Sequence, residues 1–165
     1  MPILDSHSME FISRGADYTR RVGIRLGVLL GKGDVVCLDG DLGSGKTTFV
    51  QGVAAGWGSA DAVTSPSFVL VNEYRRPDGA RLYHLDAYRL KSGREAEDLD
   101  IDSMLETGLL IIEWAGHIRD ILPGEHLWIS LRYTDVSQRD LVFSARGARY
   151  DGMLATFRKK LYGGL

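Results

Sequence analysis

The chain has 165 residues, 44% of them hydrophobic, with a formal net charge of -2 and a single cysteine. That length suits one domain with its own core, and the near-neutral charge gives no bulk attraction to nucleic acid or to a membrane surface. One cysteine excludes an internal disulfide, as expected in a reducing cytoplasm, and no apolar run approaches the roughly 20 residues that span a bilayer.

The opening stretch MPILDSHSMEF lacks a basic region followed by a long apolar core, so it is not read as a signal peptide. Residues 1–12 are set aside as a disordered extension or vector remnant, with Met9 as an alternative first residue, and 13–165 are taken as one domain. From Ala16 to Leu30, apolar Tyr18, Val22, Leu26, Leu29 and Leu30 recur at helical spacing until the glycines of GKGD stop the pattern. Val35 to Leu38 is short and wholly apolar, as in a buried strand of a parallel sheet, and Cys37 within it reads as a core residue. After a glycine loop, Phe49, Val50, Val53, Ala54 and Trp57 mark one face of a second helix, which Gly58 ends. FVLVNEY and RLYHLD flank RRPDGA, whose Pro-Asp-Gly predicts a β-hairpin. GREAEDLDIDSML is acidic and weakly helical, and LLIIEW, Leu109 to Trp114, predicts another buried strand. HLWISLRY and DLVFSA predict a strand pair, and YDGMLATFRKKLY a final helix with basic residues in its last turn. Alternating helices and strands predict an α/β fold of three layers, with a mainly parallel sheet carrying antiparallel additions.

The residues Gly40-Asp41-Leu42-Gly43-Ser44-Gly45-Lys46-Thr47 match the phosphate-loop pattern G-x-x-x-x-G-K-[ST] in full. An apolar strand precedes the match and an amphipathic helix begins inside it, which is the setting phosphate binding needs. Glycines let successive backbone N–H groups turn inward on a polyanion, and the helix N-terminus adds partial positive charge. Lys46 supplies a point charge for the β- and γ-phosphates, and the Thr47 hydroxyl can ligate magnesium. The expected ligand is a nucleoside triphosphate with magnesium.

Hydrolysis or transfer also needs a strand-end carboxylate near the metal, and two are candidates: Asp86, ending RLYHLD, and Glu113, ending LLIIE. Asp39 and Asp41 are poorer choices, being beside or within the loop. His84 shares a strand face with Asp86 by alternation, and its spacing reads as a packed or hydrogen-bonded histidine. TSPSF, Thr64 to Phe68, is either a nucleotide-sensing loop or a plain turn. Arg75 and Arg76 read as solvated hairpin charges, and Trp114, following a buried run, as core.

With these motifs in place, the chain resembles the bacterial TsaE family, P-loop ATPases needed to make threonylcarbamoyladenosine in tRNA. The likeness covers about Ala16 to Trp114 and rests on an ordered set: a helix bearing Thr19, then GDVVCLDGDLGSGKTTFVQG, SPSFVLVNEY, LYHLDAYRL, EDLD and IIEW. The resemblance implies nucleotide contacts from Gly40 to Thr48, with Lys46 and Thr47 serving phosphates and magnesium. It also implies that Asp86 is the acidic strand-end residue, that Glu113 and Trp114 lie near the nucleotide, that Ser65, Pro66 and Ser67 form a Ser-Pro-Thr-type loop, and that Thr19 contributes to binding. Ser67 stands where threonine is usual, and Ala115-Gly116 where Pro-Glu often follows the tryptophan. The family implies two partners, the threonylcarbamoyl-transferase subunit TsaD and its inactive paralogue TsaB, with tRNA reached indirectly through that complex.

Two other readings compete. A small-molecule P-loop kinase would use the hairpin as an acceptor lid, with Arg75, Arg76, Arg89 and Arg94 to hold the acceptor. A GTP-dependent switch is weakened because no Asn-Lys-x-Asp and no Asp-x-x-Gly after the hairpin occur.

Overall fold

The computed structural model describes residues 5–41, 43–63, 71–90 and 99–162. Leu42, the TSPSF segment with Ser65, Pro66 and Ser67, and Arg94 lie outside the described residues.

Strand β1 (Ser8–Ser13) precedes helix α1 (Ala16–Gly27), and β2 (Val35–Gly40) runs through the glycine loop into α2 (Lys46–Trp57). The hairpin β3 (Val71–Arg75) and β4 (Arg81–Asp86) follows, then α3 (Ile101–Thr107) and β5 (Gly108–Glu113). A 3-10 helical run over Ala115–Ile121, kinked at Ile118, leads to β6 (His126–Tyr133), β7 (Arg139–Arg146) and α4 (Ala148–Tyr162). The sheet order is β1-β7-β6-β2-β5-β4-β3. The middle four strands β6, β2, β5 and β4 are parallel, whereas β3, β7 and β1 pair antiparallel at the two edges. This is the α/β architecture expected from the alternation of elements.

Burial on both faces explains the unbroken apolar runs. Val36 and Leu38 of β2 face the core formed with α1, α2 and α4 through Val22, Leu26, Phe49, Val53 and Phe157. Val35 and Cys37 face the other way, onto Leu110, Ile112, Ile101 and Ile118. Full burial of each such aliphatic side chain contributes roughly 1.5–3 kcal/mol, so Leu38→Ala would open the larger core directly behind the glycine loop. Burial also pushes the Cys37 thiol up to about 12, which leaves it an inert core group.

Two local rules act where the sequence places them. Gly58, at φ 104°, closes α2 in the left-handed conformation, and Gly79, at φ 91°, turns the β3–β4 hairpin. The first helix ends at Gly27 rather than Leu30.

The opening segment is not wholly outside the fold: Ser8 to Ser13 pairs along β7 as an edge strand. Its inward side alternates Met9 and Ser13, both buried, with Phe11 packed on the core between them. That period of two is present in the sequence, and a lack of targeting features says nothing about it.

Helices α1 and α2 meet through glycine. A Cβ on Gly27 would lie 2.1 Å from the Val53 carbonyl oxygen, and one on Gly56 would lie 1.9 Å from that of Ile24. Gly23 and Gly52 make the same close approach to Phe49 and Arg20. The two backbones are in direct contact, and any side chain there would force them apart.

Candidate active site

In a parallel sheet the loops at the carboxyl ends of the strands gather on one side. The end of β2 sits beside the end of β5, where Leu38 pairs with Glu113, and Asp86 at the end of β4 pairs with Glu113 in turn. Three neighbouring strand ends therefore deliver the glycine loop and both carboxylates to one place. Together they line a cleft of about 380 Å³ with Gly43, Gly45, Thr47 and Thr48 on one wall and Asp86, Tyr88, Glu113 and Trp114 on the other.

The loop's conformation requires its glycines. Gly40 has φ 148°, and a Cβ there would fall 2.3 Å from the Leu131 carbonyl oxygen. Gly45, at φ 100°, begins α2 with no side-chain cap, so the helix's first N–H groups remain for a ligand.

Lys46 is 6% exposed. Its Nζ donates to the carbonyl oxygens of Gly40 and Asp41, the latter at 2.9 Å, and lies 4.2 Å from the centre of the Trp114 ring. Among the described residues it has no carboxylate ion pair. Burial lowers its pKa, and the more distant charges of Glu113, Asp39, Asp41 and Asp86 oppose that shift. A buried cation met among the described residues by two carbonyl groups, the Ser44 hydroxyl at 3.5 Å and a ring face has strong unused capacity for an anion.

The two acids differ. Glu113 is buried, and its Oε2 lies 2.6 Å from His84 Nε2; the other ring nitrogen of His84 lies 3.3 Å from the Tyr74 hydroxyl. His84 itself is fully buried. Asp86 is partly exposed and accepts the Tyr88 N–H at 2.9 Å. Its pKa is raised, first by burial and secondarily by the Glu113 charge, with the Tyr88 hydrogen bond opposing. The alternation that put His84 and Asp86 on one face holds, and the partner of His84 is Glu113 on the adjoining strand.

Trp114 departs from the expected strand core. Strand β5 stops at Glu113, and Trp114 takes φ 57°, which swings its ring into the cleft beside Tyr88 at 4.9 Å and His117 at 5.7 Å. A left-handed tryptophan is a strained backbone held by its surroundings, a feature that concentrates at functional sites.

Thr19 lies on the opposite flank. It is buried, bonds Ser13 through their hydroxyls at 2.7 Å, and lines a second cleft of about 320 Å³ shared with Gly43, Gly45 and Thr48. Arg139 lines that cleft too and donates to the Gly43 carbonyl oxygen at 3.1 Å, while its Nε is buried without a hydrogen-bond partner. This arginine was missed because it is remote in sequence, in a strand that no motif marks. Arg75 and Arg76 face Glu73 and Asp78 at the hairpin, which leaves them poor acceptor ligands for a kinase.

The donor set suits a magnesium-bound polyphosphate. Among the described residues no cluster of three or more His, Cys, Asp or Glu could cage a metal on its own. One threonine hydroxyl and two acids match the sparse protein ligation of magnesium, which keeps waters and takes phosphate oxygens. No helix among the described residues is long and apolar enough to cross a membrane.

Comparison with known proteins gives a family and a fold. The family model described as threonylcarbamoyl adenosine biosynthesis protein TsaE matches residues 13–141. The chain is 43% identical over 121 residues to the tRNA threonylcarbamoyladenosine biosynthesis protein TsaE of Bacillus subtilis, covering 72% of this chain and 74% of that one. It is 39% identical over 134 residues to the protein of that name from Treponema pallidum, covering 81% and 98%. The crystal structure of Bacillus subtilis YdiB matches with a TM-score of 0.77 at 31% identity, over 93% of this chain and 95% of that one.

Proposed function

The chain belongs to the TsaE family of threonylcarbamoyladenosine biosynthesis proteins, and from that premise we propose that it binds ATP with magnesium and hydrolyses it in service of tRNA modification. The observation that carries the reading is Lys46: a buried cation without an ion pair among the described residues, at the mouth of a glycine loop, facing two strand-end carboxylates.

In this reading Lys46 exchanges the carbonyls of Gly40 and Asp41 for the β- and γ-phosphates, and the amides at the start of α2 receive the remaining phosphate oxygens. Thr47 would hold magnesium through its hydroxyl, and Asp86 and Glu113 are the acids that would hold it from the other wall. Bound there, the metal would supply charge neutralisation for phosphoryl transfer. The His84 bond fixes one oxygen of Glu113 and leaves the other to orient water; Asp86, with its pKa raised by burial, gains a cationic neighbour when the site fills. Trp114 and Tyr88 close the cleft around the bound phosphates.

The partners belong to the same proposal: the transferase subunit TsaD and its paralogue TsaB dock on this chain and accelerate its turnover, with tRNA engaged through the assembly. Phosphoryl transfer depends on positioning and charge neutralisation, and an arginine or ordered loop supplied in trans can add about 10³-fold or more. The test is phosphate release by the chain alone, with each partner, and with both plus tRNA. Slow turnover alone and acceleration by the pair support the proposal. Fast turnover alone, unchanged by the partners, would overturn it.

A further inference from the structure

A third cleft, of about 420 Å³, has no part in the chemistry above. It lies at the start of β6 and the end of β7, which is the opposite end of the parallel strands from the glycine loop. The register pairs His126 with Arg146 and Trp128 with Ser144, and alternation puts all four on one face of the sheet. Arg119, from the 3-10 run, crosses to lay its guanidinium 4.0 Å from the Trp128 ring centre. His126 Nδ1 lies 2.9 Å from the Pro123 carbonyl oxygen, which leaves Nε2 for the cleft. No acidic side chain lines it, and neither Arg119 nor Arg146, both exposed, has a carboxylate partner among the described residues.

In a chain of net charge -2 this is a local concentration of cations rather than part of a generally basic surface. The Arg146 guanidinium and the Ser144 hydroxyl suit a phosphate. The exposed Arg119 guanidinium over the half-buried Trp128 ring adds what a simple anion site does not need, a flat platform of the kind on which bases stack. An acidic peptide would use the charges but leave that platform without a role. We propose that this cleft binds a nucleotide unit, its base on the Arg119–Trp128 stack and its phosphate against Arg146, Ser144 and His126. The unit is either a free nucleotide or one nucleotide of an RNA strand.

The test reads the Trp128 indole N–H resonance of the full chain, which separates this cleft from any nucleotide at the glycine loop. AMP, a short single-stranded oligoadenylate, inorganic phosphate and an acidic peptide are titrated in parallel. The expected result is a saturable shift with AMP, oligoadenylate or both, weakened about 10-fold or more in Arg119→Ala and Arg146→Ala. Response to oligoadenylate alone assigns an RNA strand, and response to AMP alone or to both equally assigns the nucleotide unit itself. Both arginines are exposed, so unchanged melting temperatures are expected and loss of binding is not loss of fold. No shift with either nucleotide probe, an equal shift with inorganic phosphate, a shift with the peptide instead, or affinity unchanged in both variants would overturn the proposal.

Discussion

On one flank of the glycine loop the cleft is acidic and aromatic: Asp86, Glu113, Tyr88 and Trp114 surround Lys46. On the other flank Thr19, Thr48 and Ser137 offer hydroxyls, and among the described residues the only charge lining it is Arg139, tied to the loop through the Gly43 carbonyl oxygen. A carboxylate pair beside a cation suits metal and reacting phosphate. A neutral, hydroxyl-lined wall with one arginine suits the part of a ligand that does not react. The division teaches that one short loop can separate chemistry from recognition, because each flank is built from different strands.

The largest expected effect tests the flank that carries the chemistry. Lys46→Ala should lower ATP affinity by roughly 100-fold, the upper range for losing a hydrogen bond to a charged group. Wild-type affinity in a fluorescent-nucleotide titration would end the phosphate-loop assignment. Next, Asp86→Asn and Glu113→Gln should each cut hydrolysis in the reconstituted assembly by about 10²-fold or more, while ATP affinity changes far less. Normal phosphate release by both variants would show that neither acid acts on the reaction.

The opposite flank is expected to answer differently. Arg139→Ala should weaken ATP binding about 10-fold and leave inorganic tripolyphosphate nearly unaffected, with Arg139→Lys in between. Equal loss for both ligands would mean that Arg139 only braces the loop, and the contrast between flanks would dissolve.

The smallest effect concerns stability. Burial raises the Asp86 pKa in the folded protein, so between the ordinary carboxylate value, about 3.9, and the raised one the native state holds more protons than the unfolded state. Stability therefore falls as pH rises through that window, and the deficit is complete above it. Asp86→Asn should melt slightly higher than wild type at neutral pH, with the difference vanishing below about pH 4. A lower melting temperature for the variant at neutral pH would show that contacts of the charged Asp86 outweigh its burial.

The glycine loop, β2, β5 and the hairpin were legible because each is written in local residues: a turn-forming dipeptide, a wholly apolar run, a helix stopped by glycine. Features that depend on strand pairing were not. Alternation put His84 beside Asp86, but only the parallel register, with His84 opposite Ile111, brings it to Glu113. The apolar run before Trp114 reads it as core, and only the family resemblance puts it near the nucleotide, since nothing local announces a left-handed tryptophan. Arg139 reaches the loop only because β7 folds back along β6.

The glycine contact between α1 and α2 has a mechanical meaning. Packed helices ordinarily slide on the side chains between them, but here carbonyl oxygens press where those side chains would be. The pair has no cushion of side chains at these positions. Whatever rocks the loop end of α2 must also carry Thr19 and, through its hydroxyl bond to Ser13, tug the end of β1. The centre of the sheet is thus joined to its edge strand through packed backbone and one hydroxyl bond.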